Sequence, residues 1–120
     1  MKRTLLIGLS CILASVMIAT AADGPIADAM KKYHKGDTAT CKKVSAGTAS
    51  SAELGDILKA YQAMAGAKPE KGTPSSWKEK CDALIAAVKE IQAKNPKGQG
   101  DYKKAVNCKA CHEVHREKKQ

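Results

Sequence analysis

Apolar residues recur three or four positions apart through two long stretches of the chain, which is the spacing of one helix face. The first stretch comprises Leu54, Ile57, Leu58, Tyr61 and Met64. The second comprises Trp77, Cys81, Leu84, Val88 and Ile91, with gaps of four, three, four and three. No stretch alternates apolar and polar residues in the manner of a half-buried strand. The pattern predicts amphipathic helices packed against one another.

Helix-end signals frame these two stretches. Residues 50–53 read Ser-Ser-Ala-Glu and residues 76–79 read Ser-Trp-Lys-Glu, and both match the capping box that begins a helix. Gly66 is placed to end the first helix, and Asn95-Pro96 to end the second. Residues 66–75 contain two glycines and two prolines, so they are predicted to form a loop.

Two further helical segments are predicted, one on each side of this pair. Gly24-Pro25 opens the first, because proline suits the first helical position. Gly36 ends or kinks it, and a short continuation reaches Gly47. The final helix begins near Asp101 and continues through residue 115. The prediction is therefore an all-α, antiparallel four-helix bundle, a fold in which facing helices hold a cofactor in the core.

The N-terminus has the features of a secretory signal peptide. Met1-Lys2-Arg3 is basic, residues 5–19 are apolar or small, and Ala19-Thr20-Ala21 is a small-residue cleavage site. An uncleaved anchor is disfavoured because the apolar run is shorter than the roughly 20 residues of a membrane span. A lipoprotein site at Cys11 is disfavoured because the apolar run continues beyond it. We expect residues 1–21 to be a signal peptide, residues 22–120 to be one domain, and the mature protein to be periplasmic without membrane insertion.

The composition narrows the kind of partner. Residues 1–21 contain two of the 21 basic residues and none of the 12 acidic ones, so the remainder carries a formal charge of +7. The lysines are scattered rather than clustered, and the chain is expected to be exported, so nucleic acid is not an expected partner. An acidic redox protein fits this charge, as does a solvated lysine-rich surface. The chain has one tryptophan, three tyrosines and no phenylalanine, and a buried porphyrin would supply the missing apolar volume.

Cys108-Lys109-Ala110-Cys111-His112 is a C-x-x-C-H pentapeptide, which is the attachment motif for c-type haem. The two thiols add to the vinyl groups of the porphyrin, and the adjacent histidine ligates the iron. On a helix these three side chains leave one face. A zinc site would need two further ligands at metal spacing. A thioredoxin-like pair would need a βαβ context that the pattern lacks.

The segment from Cys108 to Arg116 reads C-x-x-C-H-x-x-x-R and resembles the C-terminal helix of the class II cytochromes c, the cytochrome c-prime and cytochrome c-556 family. Residues 74–79, with Trp77, are similar to the start of that family's third helix. The resemblance implies a four-helix bundle with one covalent haem c near the C-terminus and either a monomer or a homodimer. It also implies that Met30, on the first helix, is the axial methionine of the c-556 branch.

The sixth iron ligand remains open between three alternatives. Met30 would give a six-coordinate iron with a raised reduction potential. His34, one turn further along, would give bis-histidine ligation and a lower potential. If neither reaches the iron, the site is five-coordinate and binds diatomic gases. His115 is expected to line the haem rim, and Arg116 either pairs with a haem propionate or lies free on the surface.

Two cysteines remain outside the leader and the motif. Cys41 and Cys81 would be in an oxidising compartment, which favours a disulfide between them. The alternative is that Cys81 is a reduced core residue, because it lies on the apolar seam of its helix.

The leading hypothesis is an electron carrier with one haem c, which has no catalytic residues and is not an enzyme. The alternative is a five-coordinate haem protein that binds NO or CO in the manner of cytochrome c-prime. A peroxidase ranks last because it needs distal acid–base groups, and His34 is the only candidate near the haem.

Overall fold

The computed structural model describes residues 24–118, and this part of the chain contains six α-helices and no strand. The helices are α1 (Pro25–Tyr33), α2 (Thr40–Ala46), α3 (Ser51–Ala65), α4 (Pro74–Gln92), α5 (Gly98–Ala105) and α6 (Cys108–His115). The predicted all-α class is confirmed. The predicted signal peptide lies outside the described residues. Within residues 24–118, none of the helices has the length and apolarity needed to cross a membrane.

The core lies between α3 and its neighbours. Helix α3 packs against α1, α2 and α4, while α5 packs against α4 and α2. The predicted apolar seams supply most of the buried side chains, and each fully buried one contributes roughly 1.5–3 kcal/mol. Those buried on α3 are Leu54, Ile57, Tyr61 and Met64, and those on α4 are Trp77, Cys81, Leu84, Ala87 and Val88.

The starts of the two long helices differ in how well the sequence predicts them. Ser50 caps α3 as expected, because its hydroxyl accepts a hydrogen bond from the Glu53 N–H at 3.1 Å. The capping box predicted at Ser76 is wrong. Helix α4 begins at Pro74, and its cap is Thr73, whose hydroxyl accepts from the Ser76 N–H at 3.2 Å. Proline at the first position needs no N–H partner, so the helix begins three residues earlier than predicted.

The predicted single C-terminal helix is two helices in the structure. Helix α5 ends at Ala105, and Asn107 adopts an extended conformation and caps α6. The Asn107 side-chain oxygen accepts a hydrogen bond from the Ala110 N–H at 3.0 Å. Asparagine competes with the helix for backbone hydrogen bonds and therefore favours a cap over a helix interior. As a result, the C-x-x-C-H motif forms the first turn and a half of a new helix.

Two side-chain to backbone hydrogen bonds join the helices that frame the core. The Trp77 indole N–H donates to the carbonyl of Met64 at 3.0 Å, which ties the start of α4 to the end of α3. The Gln99 amide donates to the carbonyl of Ser45 at 2.6 Å, which ties the start of α5 to the end of α2. These links hold four helices around one core and leave α6 at its edge.

Candidate haem-binding site

The three motif side chains lie within the first five residues of α6. Cys108 is the first residue of the helix and is exposed, whereas Cys111 and His112 are half-buried one turn later. Cys111 packs against the hydrophobic core. Because residues three and four apart in a helix share a face, the two thiols and the imidazole project from the same side of α6.

Helix α6 is the one described helix without an extensively packed helical neighbour. It is anchored at its last residue, His115, which is 4% exposed. His115 Nδ1 donates to the carbonyl of Lys71 at 3.0 Å, and Nε2 lies 3.1 Å from the Ser76 hydroxyl. Its ring meets Trp77 edge-on, with centroids 5.2 Å apart. Helix α6 is thus held mainly through its last residue.

The contacts of His115 differ from those expected at a haem rim, because its imidazole is inserted into the loop between α3 and α4. Both ring nitrogens are engaged there, so His115 is not available as an iron ligand. Gly72 makes this approach possible: a Cβ on it would lie 2.5 Å from His115 Nδ1, and its φ of +90° is in the left-handed region. Neither the loop contact nor the role of Gly72 is signalled by the sequence pattern.

His34, at the C-terminal cap of α1, is the histidine that lies near the motif. Its Nε2 is 2.9 Å from the Tyr61 hydroxyl, which is itself 2.6 Å from the Tyr102 hydroxyl. Burial above all, and the electrostatic effect of His112 after it, lower the pKa of His34 to about 4. The fold therefore brings His34 within electrostatic reach of His112, although the two residues lie near opposite ends of the described chain.

The two tyrosines that continue from His34 are buried and uncharged. Each has 0% exposure, and burial raises the pKa of both hydroxyls above the ordinary value for tyrosine. A neutral phenol both donates and accepts hydrogen bonds. The chain can therefore run with Tyr102 donating towards His34 or with His34 donating towards Tyr102. The sequence pattern predicted Tyr61 only as an apolar helix position. It did not predict the hydrogen bonds that join Tyr61 to His34 and Tyr102.

Met30 lies one turn before His34 on α1. Its side chain is half-buried and packs against the core, and its carbonyl accepts the N–H of His34 at 3.2 Å. Its assignment as an axial ligand stays a prediction. Arg116, the residue after α6, is exposed, and its backbone N–H donates to the carbonyl of His112 at 3.1 Å. A propionate contact by its guanidinium likewise stays a prediction.

Cys41 on α2 and Cys81 on α4 are buried, and both are free thiols in the structure. The predicted disulfide between them is thus not formed. Burial raises the pKa of the Cys41 thiol, and Cys108 raises it further. Burial first, and Cys111 and Asp82 after it, raise the pKa of the Cys81 thiol to about 12.

Haem needs fewer protein ligands than a bare metal ion. Residues 24–118 contain no group of three or more histidine, cysteine or acidic side chains placed to hold a metal ion. A porphyrin supplies four nitrogens to its iron and requires only one or two axial donors from the chain. Two thiols on one face of α6, His112 beside them and His34 nearby form a donor set that fits this requirement.

The comparisons with known proteins found no relative. No protein-family model, no curated protein and no solved structure matches the chain. The function is therefore argued from the residues and contacts of this molecule.

Proposed function

We propose that this protein is an exported c-type cytochrome that carries one covalent haem c and transfers single electrons between partner proteins. The observation that carries the proposal is the C-x-x-C-H motif, whose two thiols and imidazole project from one face of α6. The attachment motif lies at the start of α6, and the C-terminus of α1 brings His34 close enough for its pKa to respond to His112.

The residues have distinct roles in this proposal. Cys108 and Cys111 form the thioethers, His112 is the proximal ligand and His34 is the distal ligand. Haem supplies the one-electron chemistry, and the chain supplies ligation, orientation and exclusion of water. Two strong imidazole donors give a six-coordinate iron, which suits electron transfer because no ligand must leave or enter during the reaction. Arg116 pairs with a propionate in this arrangement.

The arrangement of the helices and the exposed lysines support a role in electron transfer. We propose that α1, α3, α4 and the α5–α6 pair act as the four arms of a bundle, with the haem between α6 and the rest. Lys103, Lys104 and Lys109, on the α5–α6 arm, are exposed. They would steer an acidic redox partner to the haem edge at a rate that falls as salt increases.

The test is expression of the full chain in a host that exports proteins and attaches haem c. We expect the periplasmic product to lack residues 1–21 and to gain the mass of one haem, which remains bound after denaturation. We expect low-spin spectra in both oxidation states, with a near-infrared band of bis-histidine ligation. A mature protein without porphyrin mass would refute the proposal. Met30→Leu serves as the ligand control, and loss of the near-infrared band in that variant would assign the sixth position to methionine.

One observation favours a second function, the binding of NO or CO at a five-coordinate iron. His34 Nε2 is hydrogen-bonded to Tyr61 in the structure, and Met30 packs against the core. If Met30 keeps its core contact and His34 Nδ1 does not reach the iron, the distal position is open. Addition of CO to the ferrous protein separates the two functions. An immediate Soret shift indicates the open site, and an unchanged spectrum indicates the carrier.

A further inference from the structure

The His34 imidazole has one nitrogen engaged and one free to act. Nε2 lies 2.9 Å from the Tyr61 hydroxyl, and the two rings are tilted by 51° with centroids 5.6 Å apart. Tyr61 has 0% exposure, and its hydroxyl is also 2.6 Å from that of Tyr102. Because Tyr61 is enclosed by the core and hydrogen-bonded on two sides, it is a fixed reference point for the orientation of His34.

An imidazole ligates a metal through one unprotonated nitrogen, while the other nitrogen carries a proton and donates it to a neighbouring group. Since Nε2 already faces a hydroxyl, the geometry points to Tyr61 as the positioning residue that accepts the Nε2–H of His34 and leaves Nδ1 as the iron-binding atom. This inference rests on the proposed function and specifies how its distal ligand is presented.

The hydroxyl chain has two possible directions, and only one permits this ligation. When His34 donates from Nε2 to Tyr61, the Tyr61 O–H donates onward to Tyr102, and Nδ1 carries no proton. In the reverse direction, Tyr102 donates to Tyr61 and Tyr61 donates to Nε2, so that the proton of the neutral imidazole lies on Nδ1 and blocks it. Both arrangements contain the same number of protons. Ligation through Nδ1 therefore requires Tyr102 to accept the hydrogen bond from Tyr61.

The first experiment identifies the ligating atom in the wild-type holoprotein. Long-range ¹H–¹⁵N correlation spectra of the ferrous, ¹⁵N-histidine-labelled protein distinguish Nδ1 from Nε2 by their couplings to the ring protons. We expect His34 to be bound through Nδ1 and to show a protonated Nε2. Ligation through Nε2, or ligation by a residue other than His34, would overturn the inference. Neither result bears on whether haem is attached, which the mass measurement decides separately.

The second experiment compares Tyr61→Phe with Tyr102→Phe, both as holoproteins. A hydrogen bond from Nε2–H makes the imidazole a stronger donor, which favours ferric iron. We therefore expect Tyr61→Phe to raise the reduction potential and to accelerate CO binding at least tenfold. Tyr102→Phe should cause a smaller change in the same direction. If Tyr61→Phe lowers only the melting temperature and leaves the potential and CO binding unchanged, Tyr61 is structural and the inference fails. If this variant does not accumulate, the wild-type spectra alone decide.

Discussion

His34 and His115 lie in two hydrogen-bonded regions of the molecule that use the imidazole ring differently. His115 has both nitrogens engaged, by Lys71 and Ser76, and its ring contacts Trp77. His34 has one nitrogen engaged, by Tyr61, and lies within the electrostatic reach of His112. The first arrangement anchors a helix, and the second leaves Nδ1 of His34 as the proposed iron-binding atom.

This difference shows why nearness in sequence is a poor guide to ligation. His115 is three residues from His112, yet the turn of α6 directs it into the loop before α4. His34 comes from the opposite end of the domain, yet α1 packs against α3, and His34 is hydrogen-bonded to Tyr61 and lies within electrostatic reach of His112. The number of ring nitrogens left free, rather than the distance along the chain, separates the ligand candidate from the anchor.

The largest effect is expected from replacing His34 in the holoprotein. His34→Ala should convert the iron from six-coordinate to a form that binds CO at once, because the distal imidazole is gone. His115→Ala is the matched control and should keep the wild-type spectrum. Visible spectra recorded before and after addition of CO provide the measurement. An unchanged His34→Ala spectrum would assign the distal position to another residue.

The reverse order is expected for stability. His115→Ala should lower the free energy of unfolding by about 3 kcal/mol, because it removes two hydrogen bonds, leaves the Lys71 carbonyl unpaired and deletes an aromatic contact. Denaturant unfolding of the holoprotein measures this loss. If His34→Ala is the more destabilising of the two at equal haem content, the assignment of His115 as the anchor is wrong.

Gly72 offers a test of the same anchor without altering the histidine. Gly72→Ala should cost about 2 kcal/mol, because an L-residue is strained at its φ and the new Cβ displaces His115. Gly24→Ala is the control, since no atom lies within 4 Å of a Cβ at that position. Equal stability of the two variants would contradict the close approach seen at Gly72.

The Lys43–Glu53 ion pair, which joins α2 to α3, gives a smaller and pH-dependent effect. Its 2.9 Å hydrogen bond lowers the pKa of the Glu53 carboxyl. A lowered folded-state pKa contributes stability that is present above the unfolded pKa, near 4.5, and is lost as the pH falls below it. Thermal melts of wild type and Glu53→Gln should therefore differ at pH 7 and converge below pH 4. A constant difference across that range would show that the pair is not the cause.

The smallest expected effect is that of a reductant, which should leave the free energy of unfolding unchanged. Cys41 lies on α2 and Cys81 lies on α4. A disulfide between them would therefore join these two helices covalently. Such a bond would add about 3–4 kcal/mol that dithiothreitol removes. Because the structure holds two free thiols, unfolding curves with and without dithiothreitol should coincide. A shift of the unfolding midpoint to a lower denaturant concentration on reduction would show that the predicted disulfide is present.

Local spacing determined a substantial part of this protein. The C-x-x-C-H motif, the seams from Leu54 to Met64 and from Trp77 to Val88, and the cap at Ser50 follow from three- and four-residue periodicity, which depends only on helix geometry. The break at Asn107 and the cap at Thr73 also have local causes. At the start of α4, however, Thr73 and Ser76 are both possible caps, and apolar periodicity does not rank them.

The tertiary structure decided how the candidate site is assembled. Contacts such as His34–Tyr61, Tyr61–Tyr102 and His115–Ser76 join residues 27 to 41 positions apart. They depend on the direction in which each loop returns the chain and on which faces of α1, α3 and α5 meet. Helix periodicity determines on which face of its own helix a residue lies, but not which face of another helix packs against it. The sequence by itself therefore determined the C-x-x-C-H motif, and only the packing of distant helices decided that His34 is hydrogen-bonded to Tyr61 and His115 to Ser76 and Lys71.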